Sequence, residues 1–341
     1  MRPVVGSHRR LVSPGLGRGR GATVAVLSAA AAAAAFGAGP ADAVPHDPRA
    51  TVDRLYQEAE RSTEAYNKAG ERAGSLREQV SRAQDRIARQ QDRVNGMRDV
   101  LGVLAGAQYR SGGLASSLAL LFSDDPADYL DRASVLDRIG VREAGQLKGL
   151  RGALRELAQE RVQVAGELAE LEKTRKAVAR HKKDVERKLA AAQRLLNALP
   201  SAERDAYQRA SRSDGDLPDL TGVVPPDSRA AAALAAARSA LGRPYVWGAN
   251  GPRGFDCSGL MQWSYARAGI GLPRTSQEQR YAGRRVPLSQ ARPGDLVLYR
   301  SDASHVAMYA GGGQVIHAPH PGAAVRYDPV GMLPVSSVIR P

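Results

Sequence analysis

The sequence predicts a chain in two parts, a long antiparallel α-helical coiled-coil hairpin followed by an α+β domain. Three observations predict it. Two runs with apolar residues in alternating steps of three and four occupy much of 52–199. A stretch rich in Pro, Gly, Ser and Asp follows at 211–227, a linker composition. The only cysteine, Cys257, then opens a helical pattern that precedes strand-like runs.

Taken in order, the chain begins with Arg2, Arg9, Arg10, Arg18 and Arg20, an apolar Ala-rich run from Ala22 to Ala38, and Ala41-Asp42-Ala43. A basic region, a short apolar core and a small-x-small site read as an export signal over 1–43, cut after Ala43. The apolar run falls short of the ~20 residues that span a bilayer, and an uncleaved anchor is the alternative. The expected location is outside the cell, on the wall.

The first arm runs from Val52 through Leu55, Ala59, Ala73, Leu76, Val80, Val94 and Leu101, with mostly Arg, Glu, Gln and Asp between. The second runs from Leu147 through Leu157, Val164, Leu171, Val185 and Leu196, closed by Pro200, with Arg161, Arg175 and Lys182 on its seam. Their connection, the hairpin tip at about 111–128, has a Gly pair and then Leu114, Leu118, Leu120, Leu121 and Phe122. It either closes the hairpin or forms an apolar docking patch. The coil is expected over 44–210, the linker over 211–227 and the second domain over 228–341.

In that domain Ser228 caps an Ala-rich helix from Arg229 to Leu241. Asp256 caps the next, whose apolar and small face comprises Cys257, Leu260, Met261, Ser264 and Ala268, and Gly269 ends it. A thiol in the first turn of a helix meets unpaired N–H groups that favour the thiolate. A lone cysteine in an exported chain is not a disulfide half, so it either fills the core or reacts. The run from His305 to His317 reads as a hairpin. A three-residue loop at 310–312 sets His305 opposite His317, whereas a two- or four-residue loop sends them to opposite faces. His305 is then the base for Cys257 and His317 its orienting partner; two ordinary half-buried strand histidines have the same spacing. His320 reads as a solvated bystander. A zinc site from Cys257, His305, His317 and His320 ranks low for want of close ligand pairing, so neither a metal nor a cofactor is expected.

The formal charge is +14, but charge alone does not imply nucleic acid. Residues 228–341 carry thirteen Arg and five acids, a net +8, while 44–227 carry only +2. The Arg residues are scattered rather than striped with aromatics, so no nucleic-acid partner is expected, and a polyanion such as cell-wall polymer fits as well.

Residues 228–341 resemble the NlpC/P60 family of cell-wall peptidases through Pro-Tyr-Val-Trp-Gly (244–248), Gly-Phe-Asp-Cys-Ser-Gly-Leu (254–260), Leu-Pro-Arg-Thr-Ser (272–276), Pro-Gly-Asp-Leu-Val (293–297), His-Val-Ala-Met-Tyr (305–309) and Ile-His-Ala-Pro (316–319). The resemblance implies a papain-like fold, helices packed on an antiparallel sheet. It also implies Cys257 as nucleophile, His305 as base, His317 as third residue and Tyr245 as an oxyanion donor. Ala249 stands where a second glycine is common and is expected to narrow the cleft near Trp247. Trp247, Asp256, Ser258, Arg274, Thr275 and Ser276 are candidates for substrate binding. Arg274 suits a bidentate grip on a carboxylate, and Asp256 is expected to cap the helix or meet the substrate's ammonium group. The implied substrate is peptidoglycan, at the bond between D-glutamate and the diamino acid of the stem peptide.

The coil resembles that of division hydrolases of the same family. This implies a membrane partner of the FtsEX type, met through Leu118, Leu121, Phe122, Tyr129 and Leu130. Because an uncontrolled wall hydrolase endangers its own cell, the arms are expected to hold the catalytic domain inactive until such a partner engages the 111–140 region. A coiled-coil adaptor that binds wall peptide without cutting it is the reading from another class.

Overall fold

The computed structural model describes residues 47–110, 126–212 and 224–341; the expected signal over 1–43, Leu118, Leu121, Phe122 and most of the tip and linker lie outside them. Two long helices, α1 (Pro48–Arg110) and α2 (Pro126–Ala198), form an antiparallel hairpin. Val52 and Tyr56 pack on Ala192, Leu196 and Leu199, Ala73 and Leu76 on Leu171, and Val94 on Ala153 and Leu157. The second arm is longer than its seam suggests, since helix already starts at Pro126, a residue pre-set for a first helical turn. Its three basic seam positions turn outward. Arg161 reaches across to Gln91 Oε1 at 2.7 Å, and Thr174 takes the buried place beside Arg175. Burying an unpaired guanidinium or ammonium costs more than a small local shift of the seam. After Pro200 a short helix, α3 (Ser201–Arg212), returns to the hairpin's base, where Tyr207 donates to Asp53 at 2.8 Å.

The C-terminal domain holds α4 (Ser228–Ser239), α5 (Cys257–Arg267), the single turn α6 (Ser276–Gln279) and six strands. These are β1 (Arg284–Val286), β2 (Leu296–Tyr299), β3 (His305–Gly311), β4 (Gln314–His317), β5 (Arg326–Pro329) and β6 (Val335–Arg340). They form one antiparallel sheet in the order β1-β6-β2-β3-β4-β5. Leu234, Leu260, Met261 and Tyr265 of the helices pack on Leu296, Leu298, Val306, Met308 and Ile316. Val297, Tyr299, Ala307 and Val315 form a second cluster. The cap of α4 is Asp227 rather than Ser228: its carboxylate accepts from the N–H groups of Arg229 and Ala230.

The β3–β4 hairpin differs from the expected one. Its turn is the two-residue Gly312-Gly313, both with positive φ, as a tight hairpin turn requires. A two-residue loop alone would separate the histidines, but Ala310 bulges out of β3 and restores the parity. Met308 pairs with Ile316, so the register is shifted by two from the expected one and both histidines keep the same face. They meet diagonally rather than directly, with ring centroids 5.0 Å apart.

Candidate active site

Cys257 begins α5 because Asp256 caps it, accepting from the Gly259 N–H at 2.7 Å. Gly259 has no substitute: a Cβ there would lie 2.2 Å from the Ala249 carbonyl oxygen, so the helix start and the 244–250 loop pack backbone to backbone. Ala249 acts through that carbonyl, which accepts from the Asp256 N–H at 2.9 Å. Asp256 is fully buried and has no place for a substrate ammonium group. Its second oxygen accepts from the Gly248 N–H at 3.0 Å, and Arg274 grips both oxygens, at 3.0 and 2.6 Å. Arg274 is therefore spent on Asp256 and on Ser258 Oγ (2.9 Å) rather than free for a substrate carboxylate. Thr275 likewise turns its hydroxyl to Glu278, at 3.0 Å.

His305 opens β3. A nitrogen of its ring, the Cys257 sulfur and a Glu60 oxygen all lie within 4.8 Å of one another. His305 Nε2 meets His317 Nδ1 at 2.8 Å, and His317 Nε2 meets Asp328 Oδ2 at 2.7 Å. Burial holds His317 down to about 4 against the pull of Asp328, so its ring is neutral at pH 7. Burial works to raise the Asp328 carboxyl, but His317 and Arg326 outweigh it and keep it ionised. An ionised carboxylate only accepts, so His317 donates from Nε2 and accepts at Nδ1. His305 Nε2 then donates to His317 Nδ1, and its Nδ1 is turned to Glu60. Asp328, on β5, was not legible beforehand, since nothing in sequence ties it to His317; Tyr245 is buried in the same cluster as Cys257.

The residues that sequence reasoning missed come from the coil. Glu60, Glu64 and Asn67 of α1 form a buried polar stripe at helical spacing, off the apolar seam, and lie in the cleft. Glu60 contacts His305 Nδ1 and Arg300. Glu64 Oε1 accepts from Ser258 Oγ at 2.7 Å and from the Cys257 thiol at 3.7 Å, and its Oε2 accepts from the Ser276 N–H at 2.8 Å. Asn67 donates to Asp256 at 3.1 Å. Tyr66 meets Trp247 edge to face at 5.2 Å, and Arg61 pairs with Asp302 at 2.6 Å. His320 is no bystander: it stacks on Tyr56 of α1 with centroids 4.7 Å apart. The part of the cleft that α1 leaves open is a cavity of about 280 Å³ lined by Tyr56, Glu60, Tyr245, His305, His317 and Asp328, among others.

This cover reverses the expected ionisation of the thiol. Burial pushes the Cys257 thiol well up, and Glu60, Glu64 and Asp256 push it further, so a helix end does not suffice to hold a thiolate. Burial also pushes the Glu64 carboxyl up to about 8, with the Asp256 charge adding to it. Glu60 is pushed up by burial too, but His305 and Arg300 outweigh this and hold it below its ordinary value.

Residues 242–334 match the model of the NlpC/P60 family. The chain is 39% identical over 142 residues to a probable endopeptidase of Corynebacterium glutamicum, covering 42% of this chain and 68% of that protein. It is 42% identical over 118 residues to a probable endopeptidase of Mycobacterium bovis, 34% of this chain and 31% of that one. Among solved structures, the NlpC/p60 domain of the peptidoglycan hydrolase SagA is 38% identical, covering 33% of this chain and 98% of that domain, with a TM-score of 0.31. With the relay from Cys257 to Asp328 in place and a relative matched over two thirds of its length, the chain belongs to the NlpC/P60 family.

Proposed function

We propose that the chain is a secreted cysteine endopeptidase that hydrolyses an amide bond of peptidoglycan stem peptides, the one joining D-glutamate to the diamino acid, and that α1 holds it inactive. The observation that carries the reading is the alignment of Cys257, His305, His317 and Asp328 at the start of α5 and the edge of β3, beneath a coil helix. With α1 withdrawn, the thiol proton passes to His305 Nδ1 and the sulfur attacks the substrate carbonyl carbon. The oxyanion is received by the Cys257 N–H and the Tyr245 hydroxyl, donors worth about 3–4 kcal/mol each. As the C–N bond breaks, His305 Nδ1–H protonates the leaving amine. Water then attacks the thioester, gives a proton to His305, and releases the acid and the thiol.

With α1 in place, Glu60 occupies the base's working nitrogen and Glu64 the space beside the sulfur. The expected activator is a membrane division complex of the FtsEX type that engages the coil; Tyr129 and Leu130 near the start of α2 are exposed, as such contact requires. Mass spectrometry of peptidoglycan digested by the chain carrying Glu60→Ala and Glu64→Ala, which frees the cleft, tests the reaction. Fragments ending in D-glutamate are expected, sensitive to thiol alkylation and indifferent to chelators; fragments cut elsewhere would overturn the assignment of the bond.

Asp328→Asn, made in a chain freed of its cover, is expected to lower kcat about 10- to 100-fold with little change in KM, because it loosens the tautomer that leaves Nδ1 free to accept. Steady-state kinetics on a muropeptide checks the split.

The latch itself is expected to respond to pH. Glu64 titrates at about 8 when covered and near its ordinary 4.5 when released, so the closed form holds an extra proton between those values. Its contribution to closure is present at the acid end and is lost as pH rises towards 8. Glu60, held low, has the opposite sense and matters only below its ordinary range. The ratio of wild-type to Glu64→Gln activity is therefore expected to rise about tenfold or more from pH 5 to pH 8, since Gln mimics the neutral carboxyl throughout. Taking the ratio cancels the enzyme's own pH profile.

A further inference from the structure

Glu60 contacts His305 Nδ1 in the covered cleft. His305 Nε2 is engaged by His317, so Nδ1 is the ring nitrogen turned to Glu60. The Cys257 sulfur completes the group: one sulfur, one imidazole nitrogen and one carboxylate oxygen, all buried, within 4.8 Å of one another. Three such ligands plus a fourth position make a tetrahedral zinc site, with bonds of about 2.0–2.3 Å. Glu64 Oε1, 3.7 Å from the sulfur, stands next to that fourth position. The second nitrogen of His305 is already oriented by a hydrogen bond, as metal-bound histidines are. The arginines at hand are engaged elsewhere: Arg274 grips Asp256, and Arg300 takes the other Glu60 oxygen.

We propose that the covered cleft binds a zinc ion through Glu60 of α1, Cys257 of α5 and His305 of β3, so that zinc locks the coil onto the catalytic domain. Binding displaces the thiol proton to solvent and leaves a zinc thiolate, which is neither free to attack nor paired with a free base. The ion is an inhibitory bridge with no part in hydrolysis. The site has only two of its three ligands once α1 leaves, so metal release and opening are linked. The proposal rests on α1 lying in the cleft, and not on which bond the enzyme cuts.

The test uses the full chain and Zn²⁺ itself, titrated against a chromophoric chelator, with Co²⁺ as an optical probe. One zinc per chain is expected, with a thiolate-to-cobalt charge-transfer band that Cys257→Ser abolishes. Glu60→Gln is expected to weaken zinc about 10- to 100-fold and to remove the rise in Tm that zinc gives the wild type. Circular dichroism checks that this variant folds; Glu60→Asp, which keeps a carboxylate on a shorter stem, is the second variant and is also expected to bind more weakly. Wild-type affinity in these Glu60 variants, or a cobalt spectrum without a thiolate band, would overturn the proposal. Peptide cleavage is not a readout, so a failure of the endopeptidase reading leaves this result interpretable.

Discussion

Replacing Glu60 and Glu64 together by alanine is expected to raise muropeptide cleavage by the full chain about 100- to 1,000-fold. Glu60 holds His305 and Arg300, and Glu64 holds Ser258 and the Ser276 N–H. Glu60's hydrogen bonds, made to charged groups, are worth about 1.5–3 kcal/mol each and those of the neutral Glu64 about 0.5–1.5, less what the same groups regain from water on opening. A net loss of about 3–4 kcal/mol shifts a closed–open equilibrium by two to three powers of ten. The hairpin is left intact, because neither residue lies on the seam with α2, and melting of the coil is the control. Rates equal to wild type, with the coil intact, would show that α1 does not govern access.

In that released background, Cys257→Ala is expected to remove at least about four powers of ten of the remaining rate. Loss of a nucleophile abolishes the covalent route, and what survives comes from oxyanion donors and binding alone. The comparison belongs in the released chain, since in the wild type both enzyme and variant would be silent under the cover. Substantial cleavage by the alanine variant would mean that another group or a contaminant does the chemistry.

Much of this was legible in the chain. The seam residues found their partners because apolar periodicity is a local property, and Asp256 and Gly269 marked the ends of the cysteine helix in the expected way. The pairing of His305 with His317 was right for a partly wrong reason. The loop was misjudged by one residue and a bulge compensated, and only parity decided the face. Arg274 was misread because its partner, Asp256, lies eighteen positions away and is known only once the fold brings them together. The stripe of Glu60, Glu64 and Asn67 was invisible for a deeper reason. Polar residues off an apolar seam normally face water, and nothing local says that a groove 189 or more residues downstream receives them.

The first helix grips two neighbours at different heights. Near its foot, Val52 and Tyr56 are clamped against the end of the returning helix, whereas Val100 and Val103, far up the shaft, stand exposed. At 1.5 Å per residue, Glu64 lies about 18 Å above that clamp and Val103 about 75 Å. A stiff hairpin pivoting as one body at this foot, where Tyr56 also stacks on His320 of the catalytic domain, would thus give a pull at the far end roughly a fourfold mechanical advantage over the carboxylates seated in the groove. A modest sideways force, applied well away from the chemistry, would then be enough to lift them out.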